Sequence, residues 1–331
     1  MAEMQFDVVG IGNAIVDVIV PIEEALLDRE RLAKGSMRLI DEAEAERVYA
    51  LVGPGVEMSG GSAANTIAGL ASLGSATAYV GKVRDDQLGT IFRHDIRSLG
   101  VHYEVAAATS GPATARCLVL VTPDAQRTMN TFLGASVTLE NRDVDEEIVR
   151  AGRVLYLEGY LWDPPAAKEA FRRAMAIARE AGRTVALTLS DAFCVDRWRE
   201  EFRHLAKNEI DLLFANEAEI KSLYEVDNFD DALQHLRHHS RIAVLTRSEK
   251  GSVIVAGDEI HVVDALPGVT PIDTTGAGDL FAAGFLHGFT RGFDLVRCAR
   301  LGAVGAAEVI SHYGARPEAS LATLGRKHGL L

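Results

Sequence analysis

Short apolar runs and amphipathic segments alternate along the second half of the chain. Runs of apolar and β-branched residues at 154–157, 184–189, 211–215 and 242–246 predict strands, and residues 166–181 predict a helix between the first two. Strands that alternate with helices form parallel sheets that are covered by helices on both faces. The pattern therefore predicts a doubly wound, mostly parallel α/β sheet.

Three extended segments in the first half do not fit this alternation. Residues 15–20 alternate in polarity, residues 37–40 form a possible short strand, and residues 114–131 predict a hairpin. We expect these segments to form a small β-sheet apart from the main one.

The size of the chain bounds its organisation. With 331 residues, of which 48% are hydrophobic, it can bury a large core. It contains no internal repeat, low-complexity tract or linker. We interpret residues 1–331 as a single domain, with the small-sheet segments inserted at about 13–40 and 108–135.

The stretch Asp-Thr-Thr-Gly-Ala-Gly-Asp, which begins at Asp273, precedes an apolar run at helical spacing and predicts a glycine-rich turn at a helix N-terminus. The first turn of a helix has unpaired N–H groups and a partial positive charge, and the small residues Gly276, Ala277 and Gly278 let a phosphate approach them. Asp279 would repel that phosphate, so we interpret it as a base that accepts a proton from an attacking hydroxyl. Alternatively, Asp273 and Asp279 only form a strand-end turn and a helix cap.

A second glycine pair, Gly60 and Gly61, opens another predicted helix. Such a pair brings the backbone close to a ligand, and Asn65, one turn later, can donate and accept hydrogen bonds on the same side. Asp17 is a polar residue inside an apolar extended run. Its carboxylate could hold paired hydroxyls of a sugar, or it could be a turn or bulge aspartate.

Asn216 and Glu219 directly follow a predicted strand, at the edge of the sheet where open α/β folds bind ligands. Their spacing on a starting helix suits water-mediated binding of Mg²⁺, which keeps several waters in proteins. The same pair could instead be a capping box, with Asn216 as the N-cap.

Charge and cysteine content narrow the class of protein. The formal net charge of −13 argues against nucleic acid as a partner, because such binding needs a basic surface. Cys117, Cys194 and Cys298 are far apart, which suggests neither a zinc site nor a disulfide framework. We find no signal peptide or membrane span, and we expect a cytoplasmic location and no membrane partner.

The two glycine-rich stretches resemble the N- and C-terminal signatures of the ribokinase-like (PfkB-type) carbohydrate kinases. That resemblance implies that residues 276–278 form an anion hole, that Asp279 is the catalytic base, and that Gly60, Gly61 and Asn65 contact the substrate sugar. It also implies that the small sheet is a lid over the substrate.

The segment from Thr246 to Gly251 resembles the nucleotide loop of the family, with Ser248 in place of its middle glycine. The resemblance implies that Thr246 and Gly251 contact ATP, together with Asn216 and Gly278, and that the helix at 302–312 borders the adenine. It also implies Mg²⁺ as a cofactor with ATP, near Asn216 and Glu219, and it allows a monovalent cation such as K⁺ near Asp273 and Thr275.

Within the family, Gly12 to Asp17 and the segment around Arg127 resemble the adenosine kinases. We therefore expect phosphoryl transfer from MgATP to the 5′-hydroxyl of adenosine, with Arg127 stabilising the transferring phosphoryl group and with Tyr160 and Leu161 beside the base. The alternatives are a ribose or fructose kinase, a broader nucleoside kinase, or a non-catalytic sensor on the same fold. The chain could be a monomer or a homodimer.

Overall fold

The computed structural model describes residues 4–124 and 126–331, which form two sheets surrounded by helices. The strands are β1 (Phe6–Ile11), β2 (Ile15–Pro21), β3 (Met37–Leu39), β4 (Val56–Gly60), β5 (Thr77–Val80), β6 (Ala115–Val121), β7 (Arg127–Phe132), β8 (Gly152–Glu158), β9 (Thr184–Thr188), β10 (Leu212–Asn216), β11 (Ile242–Thr246), β12 (Ser252–Ala256) and β13 (Glu259–Val263). The helices are α1 (Glu24–Glu30), α2 (Glu42–Leu51), α3 (Ser62–Ser72), α4 (Gln87–Ser98), α5 (Glu146–Ala151), α6 (Pro165–Glu180), α7 (Ala192–Asn208), α8 (Glu217–Tyr224), α9 (Phe229–His239), α10 (Ala277–Thr290), α11 (Leu295–Val309) and α12 (Leu321–Lys327).

The central sheet has eight strands in the order β13-β12-β11-β10-β9-β8-β1-β5. Within this sheet, the six strands β5, β1, β8, β9, β10 and β11 pair in parallel with their neighbours. At the other edge, β12 and β13 form antiparallel pairs. The structure thus confirms the predicted doubly wound, mostly parallel α/β fold.

Both faces of the central sheet are buried, which explains why its strands are nearly continuous apolar runs. In β8, Leu155 and Leu157 face the core that is formed with α6 to α9. The neighbouring residues Val154 and Tyr156 face the opposite core, which is formed with α3, α4, α10 and α11. The alternation of side chains along each strand therefore divides the interior into two layers.

Several helices begin at a side chain that caps a backbone N–H of the first turn. The capping residues include Asp41, Asp86, Asp294 and Ser320. Such caps satisfy N–H groups that the helix itself leaves unpaired. None of the helices within the described ranges combines the length and the apolar character of a bilayer span.

The smaller sheet has the strand order β3-β7-β6-β2-β4. Strands β6 and β7 form the predicted hairpin, and β2 pairs in parallel with β6. Helices α1 and α2 cover one face, where Val18, Val20, Leu118 and Leu120 form a third apolar core. Because side chains alternate along β2, Asp17 points to the opposite face.

Strand β4 was not predicted from the sequence. It pairs with β2 only, with Asp17 opposite Met58 and Ile15 opposite Gly60. Its exposed start at Val56 gives little apolar signal. This pairing brings Gly60 and Gly61 next to the strand that carries Asp17.

Candidate active site

Gly276 precedes helix α10 in a conformation that few other residues adopt. Its φ of 78° lies in the left-handed region, and a Cβ at this position would lie 2.8–3.0 Å from atoms of Ala315. A Cβ at Gly278, in contrast, would meet no atom within 4 Å. The N–H of Ala277 donates to Thr274 O at 3.3 Å, whereas the space beside Gly278 is open, as the approach of an anion to a helix N-terminus requires.

Asp279 lies in the first turn of α10 and is half-buried. Its Oδ1 accepts a hydrogen bond from Ser62 Oγ at 2.6 Å, and its Oδ2 accepts one from Asn65 Nδ2 at 3.1 Å. Burial raises the pKa of Asp279 to about 6, although both hydrogen bonds lower it. A carboxylate with this pKa is ionised at neutral pH and is basic enough to accept a proton from a positioned hydroxyl.

The side-chain amide of Asn65, which donates to Asp279 through Nδ2, also has an oxygen atom beside this carboxylate. Its Oδ1 is buried and has no hydrogen-bond partner among the residues that the structure describes. An unpaired buried acceptor is costly, so a ligand hydroxyl that donates to it would be stabilised. Asn65 and Asp279 together offer two neighbouring acceptors to the same ligand.

Asp17 lies on the smaller sheet and packs against Gly60, where a Cβ would collide with the Asp17 carboxylate. Gly61 follows with a φ of 96°, and a Cβ there would collide with the carbonyl oxygen of Asn13. Burial raises the pKa of Asp17 to about 7, the charges of Arg316 and Arg127 oppose that shift, and Asp279 adds to it. The structure thus brings Asp17, Arg127 and Asp279 close enough to interact electrostatically.

The sequence analysis missed a buried carboxylate, Glu158, which fixes the backbone beneath this site. Its Oε1 accepts from the backbone N–H of Asn13 at 3.2 Å, and its Oε2 accepts from the N–H of Ala63 at 2.8 Å. Burial raises the pKa of Glu158 to about 7. Glu158 ties the segment between β1 and β2 to the start of α3, and therefore positions Gly61 and Ser62.

Arg127 reaches from the smaller sheet to the loop before α10, where it forms an ion pair with Asp273 and a hydrogen bond with Thr275. Asp273 also accepts from the N–H of Thr275 at 2.9 Å and from the N–H of Gly314 at 2.8 Å. In this conformation the positive partner of Asp273 is a guanidinium. A monovalent cation at Asp273 and Thr275 remains a prediction, and it would require Arg127 to move.

Asn216 and Glu219 form a capping box, which was the structural alternative for this pair. Glu219 N donates to Asn216 Oδ1 at 2.8 Å, and Asn216 N donates to Glu219 Oε2 at 3.0 Å. Burial raises the pKa of Glu219 to about 7, and the charges of Asp191 and Asp279 contribute. Both roles fit the same side chain, because carboxylates gathered at one edge of the sheet favour a nearby cation held through water.

No group of three or more His, Cys, Asp or Glu side chains that could enclose a metal ion occurs within residues 4–124 and 126–331. The described residues therefore contain no such cluster that could coordinate a metal ion directly. Mg²⁺ binding through water by Asn216 and Glu219 is compatible with this arrangement, since Mg²⁺ commonly keeps several of its waters.

The departure of Ser248 from the glycine of the family loop has a structural consequence. Ser248 has a φ of 52° and Gly251 a φ of 79°, so both lie in the left-handed region. A glycine at 248 would adopt this conformation without strain, whereas serine holds it at some cost. Thr246 ends β11 next to this turn, and Arg247 Nε donates to Glu217 Oε2 at 2.8 Å.

A cavity of about 410 Å³ lies beside α11. This is the helix that we expected to border the adenine of ATP. Leu266, Val269, Val304 and Ala307 supply its apolar wall, and Glu308 and His312 its polar edge. The helix leads toward the anion-binding loop, because the N–H groups of Ile272 and Asp273 donate to Ile310 O at 2.7 and 3.3 Å.

The aromatic segment after β8 is divided between the site and the core. Tyr160 is partly buried and its phenol is close to Glu219 and Asp191, at the edge of the sheet. Leu161 has no exposed surface and packs in the main core. Its predicted contact with a substrate is therefore not supported, because the side chain is covered on all sides.

Phe193 was missed in the sequence analysis. It begins α7 after β9, and its side chain is 50% exposed, with the guanidinium of Arg197 4.0 Å from the ring centre. The N–H of Phe193 donates to Asp191 Oδ1 at 2.7 Å, so this half-exposed ring lies at the end of the sheet and provides a surface for stacking. Its signal in the sequence was its place two residues after the strand-end Asp191.

The comparisons define the class of protein to which this geometry belongs. The family described as "pfkB family carbohydrate kinase" matches residues 35–321, which contain both glycine-rich stretches, Arg127 and Asp279. The chain therefore belongs to the PfkB family of carbohydrate kinases. It is an ATP-dependent kinase that acts on a carbohydrate or a nucleoside.

Two solved structures resemble the whole chain. The adenosine kinase from Sinorhizobium meliloti is 50% identical, with 98% of this chain and 99% of that chain covered and a TM-score of 0.92. A probable sugar kinase protein from Rhizobium etli CFN 42 is 47% identical, with 99% and 100% covered and a TM-score of 0.94. Among curated proteins, the 5-dehydro-2-deoxygluconokinase of Geobacillus thermodenitrificans (strain NG80-2) is 27% identical over 265 residues, which are 77% of this chain and 79% of that protein.

Proposed function

We propose that this kinase transfers the γ-phosphoryl group of ATP to the 5′-hydroxyl of adenosine, forming AMP and ADP. The observation that carries the chemistry is the position of Asp279 beside the open first-turn amides of α10, with Asn65 next to it. This arrangement combines a base with an anion site within one helical turn. Such a combination suits attack of a hydroxyl on a phosphoryl group.

In the proposed reaction, Asp279 accepts the proton of the 5′-hydroxyl as its oxygen forms a bond to the γ-phosphorus. The bond from that phosphorus to the bridging oxygen of ADP breaks, and ADP leaves with the electron pair. The amides of residues 276–278, the predicted anion hole, stabilise the charge that develops on the phosphoryl oxygens. Arg127 would contribute to the same task once it exchanges its contact with Asp273 for the phosphoryl group.

Asn216 and Glu219 would hold Mg²⁺ through water, and the ion supplies charge neutralisation at the phosphates when bound. The cavity beside α11 suits the adenine of ATP, because it is mostly apolar and leads to the anion-binding loop. Thr246 ends β11, Gly251 closes the turn that leads into β12, and both residues are proposed to contact the nucleotide.

Adenosine is favoured over a free sugar by two observations. The half-exposed ring of Phe193 and the partly buried ring of Tyr160 lie after neighbouring strands, where a base could stack. The second observation is the 50% identity with the adenosine kinase from Sinorhizobium meliloti over 98% of this chain. A sugar kinase is the second candidate, because the relatives include proteins named 5-dehydro-2-deoxygluconokinase and fructokinase, and because the similar structure from Rhizobium etli CFN 42 is that of a probable sugar kinase.

A coupled assay of ADP formation with adenosine, inosine, guanosine, ribose and fructose distinguishes these candidates. Stacking of a base contributes roughly 1–3 kcal/mol, so we expect kcat/KM for adenosine to exceed that for ribose by about ten- to a hundredfold. The matched control is Asp279→Asn, which should keep the melting curve but lower turnover by roughly 10²–10⁴.

Faster turnover of ribose or fructose than of adenosine would replace the nucleoside by a sugar. Equal turnover by the wild type and Asp279→Asn would remove Asp279 from the mechanism. The absence of ADP formation with every acceptor would favour a non-catalytic sensor.

A further inference from the structure

Arg316 is a charged residue near the acceptor site to which no motif assigns a role. It follows Gly314 and Ala315, and this turn is fixed to the anion-binding loop. Gly314 N donates to Asp273 Oδ2 at 2.8 Å, and Ala315 packs against Gly276. The backbone of Arg316 is therefore held in place relative to α10.

The guanidinium of Arg316 has unsatisfied donors. Its Nε and Nη2 atoms are buried and have no hydrogen-bond partner within residues 4–124 and 126–331. The acidic groups close enough to act on its charge are Asp17 and Asp95, and burial lowers its pKa to about 10. Buried donors without partners are costly, so this guanidinium is arranged for a ligand or water that completes its hydrogen bonds.

Asp17 has the complementary property. Its carboxylate packs on Gly60, and none of the side chains in the described ranges donates a hydrogen bond to it. Arg316 is the cation that acts most strongly on Asp17. Gly314 lies against the side chain of Met58, and Met58 is the residue opposite Asp17 in the β2–β4 pairing. The turn that carries Arg316 therefore lies beside the strand that carries Asp17, and the open donors and acceptors are not bonded to each other.

We propose that Arg316 and Asp17 together recognise the vicinal diol of the acceptor, with each hydroxyl donating to Asp17 and accepting from Arg316. This inference rests on the proposed function, because a ribosyl acceptor supplies such a diol. It makes Arg316 a specificity-determining residue that selects ribosides over deoxyribosides.

The local charges favour a diol over a carboxylate or a phosphate at this position. Arg316 faces two carboxylates, those of Asp17 and Asp95, and Asp279 also acts on Asp17. Asp95 is held by Ser59 Oγ, which donates to its Oδ2 at 2.7 Å. An anionic group would meet an excess of negative charge, whereas a neutral hydroxyl can both donate and accept.

The test compares adenosine with 2′-deoxyadenosine and 3′-deoxyadenosine in the wild type, Arg316→Met, Arg316→Lys and the control Arg300→Met, whose arginine is exposed on α11. In the wild type, removal of a hydroxyl should lower kcat/KM by roughly 10- to 100-fold, the scale of a hydrogen bond to a charged group. In Arg316→Met, adenosine should lose a similar factor, and each deoxy analogue, which retains one of the two hydroxyls, should lose a smaller factor.

Arg316→Lys keeps the charge without the planar fork, so it should also discriminate less. It serves as the second variant if Arg316→Met does not fold. Arg300→Met should behave as the wild type. An equal loss on all three acceptors, or no loss, in the Arg316 variants would overturn the proposal.

Calorimetric titration without ATP, using adenosine, ribose and their deoxy analogues, separates this inference from the proposed function. An enzyme that phosphorylates no nucleoside but prefers diol ligands in an Arg316-dependent way would refute the adenosine kinase and retain the diol site. Wild-type protein that shows no preference for diol ligands would overturn the diol site, whatever its kinase activity.

Discussion

Substitution of Ser62 by alanine tests whether Asp279 acts as an ionised base. Ser62 Oγ donates to Asp279 Oδ1 at 2.6 Å, and this bond stabilises the charged carboxylate. Burial holds the pKa of Asp279 at about 6 in the intact site. A base must be deprotonated to work, so activity should be lost as the pH falls through about 6, and loss of the Ser62 bond should move this point upward.

The size of the shift follows from the bond. A hydrogen bond to a charged group contributes about 1.5–3 kcal/mol, and in the variant a bond from water restores part of this energy. Because 1.36 kcal/mol corresponds to one pKa unit, we expect the pKa of Asp279 to rise by about one unit in Ser62→Ala. With a pKa near 6 in the wild type and near 7 in Ser62→Ala, the ratio of variant to wild-type rate should fall from about 0.9 at pH 8 to about 0.1 at pH 5.

The assay is kcat/KM for MgATP at saturating acceptor, measured from about pH 5 to about pH 9, since this constant reports the ionisations of the enzyme before MgATP binds. Ser62 bonds to Asp279 and not to Asp17, so the change in the ratio with pH reports first the ionisation of Asp279. Ser98→Ala is the matched control, since that hydroxyl donates only to Asp95 O at the end of α4. A ratio that is constant with pH would refute the reasoning, because Ser62 would then act on geometry and not on the charge of Asp279.

Two further predictions follow from the site and the smaller sheet. Glu219→Gln should raise the Mg²⁺ concentration needed for half-maximal rate, because a charged side chain that would hold the waters around Mg²⁺ is lost. The control Glu217→Gln, in the same helical turn, should not raise it. An unchanged Mg²⁺ dependence in Glu219→Gln would leave Glu219 with its capping role alone. Amides of residues 15–20 and 114–131 should exchange hydrogen faster without adenosine than with it, since the smaller sheet must open to admit the acceptor. Equal exchange in both states would contradict a moving lid.

The local pattern of the sequence predicted most elements, because periodicity and capping are properties of neighbouring residues. Helix α6 spans Pro165–Glu180, where a helix was predicted at residues 166–181, and the 114–131 segment forms the expected hairpin. Partners between distant strands were not predictable in this way. The parallel pairing of β2 with β6 and the place of β4 depend on contacts that no local pattern records.

The residues of the candidate site also differ in how far they could be predicted from the local sequence. Gly276, Gly278 and Asp279 stood out because phosphate binding leaves a compact signature. Ser62 did not, although it contacts Asp279, because the two are 217 residues apart in the sequence. Arg316 likewise gains its significance from Asp17, which lies far from it in the sequence. Leu161 was predicted beside the base from its strand-end position, which does not show that the side chain is covered by the core.

The pairing of β2 with β6 also sets an order of folding. Ile15 lies beside Ala115, and β3 pairs with β7, so the smaller sheet cannot close before the ribosome has released the chain to about residue 132. The central sheet, in contrast, adds β8 to β13 in chain order, through local connections. During synthesis, the apolar side chains of Val18, Leu27 and Val48 therefore stay exposed to water until Leu118 and Leu120 have been made. We expect a nascent chain to need a chaperone at this early segment.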